Sequence, residues 1–355
     1  GRRIAQINAS MRAYLDSGLF YVLNDSYIYV ERTVAPGRVR RGLVGKIDLE
    51  QYDYSADSRS LVRPTEGTVE SRLPPRMRVR EQAPLESPHI MVLVDDALHT
   101  VIEPLQKQKN AMEPLYDFDL MADGGHIAGW RVAGDLCAQV DAAMLFLLSG
   151  QQCCRGVCRE CAPPMLIAVG DGNHSLATAK ACWEKIKPTL SERERHVHPA
   201  RYALAELVNL HDGALAFEPI HRVLFDVDPN SVLDALQKQL GACADGQGQV
   251  FTYAAGGRTG RLVVANPPSP LAAGTLQGFI DGYLAAHGGT VDYIHGGDVV
   301  MELSKKPGAI GFLLPAMEKS QLFPAVREGG ALPRKTFSMG HAYEKRFYLE
   351  CRKIQ

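Results

Sequence analysis

The run Gly170-Asp171-Gly172-Asn173-His174-Ser175 gathers a carboxylate, an amide, an imidazole and a hydroxyl around two glycines. It follows the apolar stretch Met165-Leu166-Ile167-Ala168-Val169 and leads into Leu176-Ala177-Thr178-Ala179-Lys180-Ala181, the order expected of strand, glycine turn and helix. Such a turn presents backbone N–H groups and the positive end of a helix dipole, which together favour a bound anion. Gly172 removes a side chain that would obstruct close approach. Phosphate is the anion that suits. Asn173 or Ser175 is placed to cap the helix, while Asp171 and His174 bring groups fit for proton transfer or metal-assisted chemistry. The competing reading is a capped strand-to-helix turn with an internally satisfied histidine. The Walker and dinucleotide glycine patterns do not occur in this run.

Four other places carry chemistry-bearing residues. Arg63, Glu66 and Thr68 lie in a Pro- and Gly-bearing stretch, where a cation, a carboxylate and a hydroxyl can clamp phosphate and metal; a solvated loop with a local ion pair is the plain alternative. His221 and Arg222 are suited to an anionic ligand, although neighbours on a strand point to opposite faces. Lys335 and Thr336, after Arg334, offer a further phosphate contact or an ordinary basic loop. Asp95 and Asp96 follow the apolar run Ile90-Met91-Val92-Leu93-Val94, and together with Asp171 they are the candidate Mg2+ ligands, with a turn-forming Asp pair as the alternative.

Cys153, Cys154, Cys158 and Cys161 crowd together, and the last three have a spacing able to hold Zn2+ or an iron-sulfur cluster. The sequence argues against a metal there. The segment is in mid-chain, no repeated β/α barrel register surrounds it, and eight cysteines in 355 residues fit a reducing compartment better than a disulfide framework.

The elements that must position these residues come from an ordinary globular composition, 46% apolar and 22% charged. Thirty-nine Lys and Arg against forty Asp and Glu leave a net charge of -1, so no global field draws the chain to nucleic acid or an acidic membrane. No apolar stretch reaches the roughly 18 residues of a membrane span, and a cytoplasmic protein with a small-molecule ligand is expected. The start, Gly1-Arg2-Arg3-Ile4, has no initiator Met, and a native N-terminal segment is expected to be missing.

Ile4, Ile7, Met11 and Leu15 form one helical stripe; Tyr27–Val30 and Leu43–Ile47 flank Ala35-Pro36-Gly37 as a hairpin or meander. Residues 56–88 read as a long loop and Thr100–Leu115 as a helix broken by Pro104 and Pro114. Helix returns at Leu136–Leu148. Beyond residue 200, strands and helices alternate to a last strand at Arg346–Glu350, so the fold class is α/β with mixed sheets. The division expected is 1–200 and 201–355, the second region contributing to the same cleft as the first.

The stretches Arg41–Gly45, Arg63–Val69, Gly170–Ser175, Ile220–Val223 and Leu332–Phe337 resemble, over nearly the whole chain, a bacterial family catalogued as domain of unknown function 1015. The glycine turn is in turn similar to the Asp-Gly-His-His-Arg signature of the ParB and sulfiredoxin superfamily, which includes free serine kinases. Asp171, Gly172 and His174 match that signature; Asn173 stands where a His is common and Ser175 where an Arg is common. The resemblance implies a ParB/sulfiredoxin-like core and nucleotide or phosphoryl chemistry, with ATP or ADP and Mg2+. In an enzyme, Asp171 or Glu66 would serve as base or metal ligand and His174 would stabilise the transferred group. The alternative is a nucleotide or metabolite sensor without turnover, which the absence of an Arg at position 175 favours, because a bidentate phosphate clamp is lost.

Overall fold

The computed structural model describes residues 1–87, 90–151, 163–340, 344 and 349–355. The chain forms two compact units: Gly1–Ala216 with Val326–Ala331 and His341–Gln355, and Phe217–Ala325 with Leu332–Gly340.

In chain order the first unit contains α1 (Arg2–Asp16), β1 (Ser26–Ala35), β2 (Arg38–Asp48), β3 (Val62–Pro64), α2 (Leu73–Arg80), β4 (Leu85–Glu86) and β5 (Met91–Val94). It continues through α3 (Glu103–Lys107), β6 (Glu113–Asp119), β7 (His126–Ala133), α4 (Asp135–Gln151), β8 (Ile167–Asp171), α5 (Asn173–Ile186), α6 (Glu192–Val197) and β9 (Tyr202–Asn209). Among the described residues, eight strands make one mixed sheet in the order β3-β8-β5-β9-β2-β1-β7-β6. β5 is buried along its whole length and runs parallel to β9, as a continuous apolar run should when both faces are covered. β8 lies on the other side of β5, antiparallel to it, with Met91 opposite Asp171 and Val94 opposite Ile167.

α5 covers this centre because Leu176, Ala179 and Trp183 fall on one face at helical spacing and are all buried. Trp183 also donates from Nε1 to Glu50 Oε1 at 2.6 Å, so its polar edge is met. Truncating it to Ala would cost about 3–5 kcal/mol.

The second unit contains β10 (Phe217–Phe225), α7 (Pro229–Leu240), β11 (Gln249–Ala255), β12 (Arg258–Val264), α8 (Ala272–His287), β13 (Thr290–His295), α9 (Gly297–Leu303) and β14 (Ile310–Leu313). After them in the chain come α10 (Leu322–Gly329), β15 (Phe337–Met339) and β16 (Arg352–Lys353). The sheet order is β12-β11-β14-β10-β13, with β15 also on β10, around a core that includes Leu224, Phe251, Phe279, Ile310 and Phe312. α7 shows why its boundaries are legible: Asp228 accepts from the amides of Asn230 and Ser231, Pro229 opens the helix, and Gly241 closes it at φ +62°.

The mixed α/β class stands as read, and the β1–β2 hairpin forms with Ile28 opposite Val44. Two stretches differ from expectation. Thr100–Leu115 keeps α-helix only at Glu103–Lys107, followed by a 3-10 turn at Lys109–Ala111, and Pro114 is the second residue of the sheet-edge strand β6, where a missing N–H is tolerated beside a register shift. The stretch 56–88 holds β3 and α2, whose paired prolines sit in the first helical turn, where no amide partner is lost. The strand expected at Arg346–Glu350 falls mostly outside the described residues. Among those described, no helix is long and apolar enough to cross a membrane.

Candidate functional site

β8 delivers the chain to Gly172, whose φ of +83° makes the turn into α5. A β-carbon there would be held in the left-handed region at about 1 kcal/mol or more. Asp171 Oδ1 accepts the Gly172 amide at 2.8 Å. Neither Asn173 nor Ser175 caps the helix, contrary to expectation: Gly172 occupies the cap position and α5 has no side-chain cap hydrogen bond among the described residues. Ser175 is exposed, and Asn173 turns inward.

Asn173 is buried and binds the end of β3. Its Oδ1 accepts the Thr65 amide at 3.2 Å, and its Nδ2 donates to Thr65 Oγ1 at 3.4 Å and to the Val169 carbonyl at 3.2 Å. Thr65 Oγ1 donates to the same carbonyl at 2.6 Å. One residue further, His174 Nε2 accepts the Val69 amide at 3.3 Å, which puts the proton of the neutral ring on Nδ1. The stretch 65–69 is therefore tied at Thr65 and at Val69 to the first two residues of α5. Between the ties lie Glu66, Gly67 and Thr68. Thr68 Oγ1 is shielded from solvent and, among the described residues, has no hydrogen-bond partner. An orphaned buried hydroxyl costs about 1–3 kcal/mol.

Of the residues expected at the site, Asn173 and His174 thus meet the stretch holding Glu66 and Thr68, with Gly170 and Asp171 at the end of β8, Gly172 at the turn and Ser175 on the first turn of α5. Arg63 is on β3, but its guanidinium donates to the carbonyls of Ser60, Pro163 and Pro164 at 2.8, 2.9 and 3.1 Å. That corrects the expected clamp: the cation is used to hold backbone. Asp95 and Asp96 follow β5, whose antiparallel register with β8 puts them at the end of the sheet away from Asp171. Asp96 is buried and accepts from the amides of Thr100 and Val101 at 2.6 and 2.8 Å, and Asp95 pairs with His211 at 2.7 Å. They are turn and pair formers and share no metal set with Asp171. Among the described residues no group of three or more His, Cys, Asp or Glu is arranged to hold a metal ion, so the residues present do not fit a protein-built Mg2+ site. Cys153, Cys154, Cys158 and Cys161 lie outside the described residues.

In the second unit, His221 and Arg222 are both buried. His221 Nδ1 accepts the Leu314 amide at 3.1 Å. Burial, aided by the Arg222 charge, pushes its imidazole below the usual range. Arg222 donates to Gln277 Oε1 at 3.0 Å and to the carbonyls of Ile220 at 2.5 Å and Arg334 at 3.2 Å, with the Tyr293 ring 4.7 Å from its guanidinium. Thr336 Oγ1 donates to the Pro333 carbonyl at 2.7 Å, and Lys335 has a left-handed backbone at φ +60°. These residues build the turn at 333–336.

Sequence reasoning passed over two groups in the first unit: Thr65, and the Val69 amide. Both lie within the stretch Arg63–Val69, where Thr65 immediately follows an X-Pro pair, a signal of a fixed backbone.

A mixed α/β protein with a glycine turn tied to a second loop by buried polar side chains is the class that fold and site define. The family model described as "Protein of unknown function (DUF1015)" matches residues 1–290, and the chain belongs to that family. Solved structures similar to it include SbnI with a C-terminal truncation from Staphylococcus aureus, at TM-score 0.45 and 8% identity, covering 84% of this chain and 83% of that one. A conserved hypothetical protein from Pyrococcus furiosus has TM-score 0.40 and 11% identity over 84% and 91% of the two chains. A free serine kinase in complex with AMP has TM-score 0.43 and 11% identity over 84% and 87%. No curated protein matches the chain.

Proposed function

We propose that the chain binds a phosphorylated small molecule, a nucleotide such as ADP or ATP, at the turn 170–175 and the stretch 65–69. The observation that carries this reading is Thr68 Oγ1, buried and without a hydrogen-bond partner among the described residues, in the stretch that Asn173 and His174 tie to the turn at Thr65 and Val69. A phosphate oxygen is the acceptor that satisfies such a hydroxyl, and the uncapped start of α5 favours negative charge beside it. The likeness of Asp171-Gly172-x-His174 to the ParB/sulfiredoxin signature agrees with it.

Within this reading the chemistry is phosphoryl transfer to a hydroxyl of a small polar metabolite. Glu66 or Asp171 is the base, and His174 faces the transferred group. A second reading, a cytoplasmic sensor that binds without turnover, is favoured by two observations: Arg63 is committed to backbone carbonyls, and Ser175 stands where the signature has its Arg.

The test is the melting temperature of the chain with AMP, ADP and ATP, each with and without Mg2+. A rise that His174→Ala and Thr68→Val both remove supports the site; no rise across the panel overturns it. A time course of nucleotide breakdown with candidate hydroxy compounds then separates transferase from sensor, since a sensor leaves the nucleotide intact.

A further inference from the structure

The C-terminal stretch 349–355 belongs to the first unit and is fastened there along its length. β16 pairs with β4, Arg352 opposite Glu86 and Lys353 opposite Leu85, and the Ile354 amide donates to the Pro84 carbonyl at 3.1 Å. Ile354 itself is buried. Arg352 donates to Glu86 Oε1 at 2.7 Å and to the Pro199 carbonyl at 2.8 Å, and Ser87 Oγ donates to the Glu350 carbonyl at 2.9 Å. These bonds make the stretch a strap. Within it the side chain of Glu350 is buried, and its Oε1 accepts from the Tyr116 hydroxyl of β6.

The sheet is shaped to receive that carboxyl. Gly42 of β2 and Gly129 of β7 both stand opposite Val30 of β1, so the three form one row across three strands. A β-carbon on Gly42 would collide with Glu206 Oε1, and one on Gly129 with the Tyr116 ring. The two glycines are what lets Glu206 and Tyr116 lie over the sheet. Glu206 gives both oxygens to Arg40, at 3.3 and 3.4 Å, and Arg40 also donates to the Glu344 carbonyl at 3.3 Å. On the β4 side, Arg80 and Arg352 meet Glu86 at 2.5 and 2.6 Å, and Lys353 is exposed. Among the described residues none of these cations pairs with Glu350.

A carboxylate buried without a cation is costly, and a carboxyl so placed takes up a proton instead. Burial pushes the Glu350 carboxyl above the usual carboxylate range, the Tyr116 bond pulls it partly back, and the Glu206 charge adds to the rise. Burial and the Glu350 charge also hold the Tyr116 hydroxyl in its protonated form, so it is the donor of the pair. The neighbouring Cys351 thiol is pushed up by burial and by Glu350. We propose that the strap 349–355 is a proton-coupled latch: Glu350 enters its seat against Tyr116 as the neutral acid, so docking takes up a proton and loosens as pH rises. The contribution of Glu350 to docking is fully present below its ordinary pKa of about 4.3 and is lost as pH rises through the raised value of the docked state. Nothing in the latch depends on nucleotide binding at the glycine turn.

The carboxyl-carbon resonance of Glu350 is followed in the full chain from mildly acidic to mildly basic pH, together with the exchange protection of the Ile354 amide. The carboxyl is expected to titrate above about 4.3, and protection to fall by up to about tenfold per pH unit beyond that midpoint. Glu350→Gln keeps the shape and removes the ionisation, so its protection stays level over the same range. Tyr116→Phe removes the donor that favours the ionised form and moves the Glu350 midpoint further up; it decides the matter should Glu350→Gln fail to fold. The proposal is overturned by a Glu350 that titrates at or below its ordinary value, or by Ile354 protection that does not change through the Glu350 midpoint. A Glu350→Gln chain that loses protection in parallel with the unsubstituted one, or a Tyr116→Phe midpoint that stays or falls, overturns it equally.

Discussion

At the start of α5, polar side chains reach across to a second segment of chain and leave one hydroxyl over: Asn173 to Thr65, His174 to Val69, with Thr68 Oγ1 unpartnered between them. On β10 and the turn at 333–336, comparable residue types turn back on their own framework. Arg222 has its guanidinium on Gln277 and two carbonyls, His221 accepts the Leu314 amide, and Thr336 donates to Pro333. Both regions belong to the same set of resembling stretches. The difference separates residues that would shape the proposed ligand site from residues that hold a fold, and Arg63, bound to three carbonyls, falls with the second group.

The comparison is most sharply broken or upheld at Arg222. Arg222→Met is expected to destabilise the second unit by about 3 kcal/mol or more in urea unfolding, because it strands Gln277 and two backbone carbonyls in the interior. Near-native stability with loss of a bound anion would reverse its assignment. Asn173→Leu should cost about 2–3 kcal/mol, with faster amide exchange at Thr65, whose N–H it currently satisfies. Thr68→Val is expected to behave in the opposite way. It removes an orphan, so stability stays level or rises by about 1 kcal/mol, while the nucleotide-induced rise in melting temperature is lost. A Thr68→Val chain that is both less stable and fully responsive would place Thr68 with the framework.

Local order was legible in the sequence; direction was not. An apolar five-residue run, a glycine and a helical pattern are enough to read β8, Gly172 and α5, and Asp228, Pro229 and Gly241 bracket α7. Such signals are short-range. Whether Asp95 and Asp96 join Asp171 depends on β5 running antiparallel to β8, a pairing between strands more than 70 residues apart that periodicity does not encode. Arg63 has its partners at Ser60 and, about a hundred residues on, at Pro163 and Pro164, so no inspection of its own loop finds them. Asn173 looked like a cap because its type favours caps, and long-range contact with Thr65 overrode that preference. β6 and α2 were hidden by prolines, which read as breakers unless an edge strand or a first turn is already known.

The smallest effect tests the framework side of the comparison through pH. His221 is held below its ordinary range by burial and by Arg222, and its Nδ1 is an acceptor for the Leu314 amide, a role only the neutral ring can fill. Unfolding releases the imidazole to a normal pKa of about 6.5, so below that pH the unfolded chain binds a proton that the folded one resists. Its contribution to stability is therefore fully present above about pH 6.5 and is lost as pH falls through the depressed folded value. Replacing it in His221→Gln should flatten that part of the stability profile relative to the unsubstituted chain, measured by urea unfolding at steps between neutral and mildly acidic pH. A histidine serving an anionic ligand from this position would instead gain affinity for protons, and the two profiles would diverge in the opposite sense.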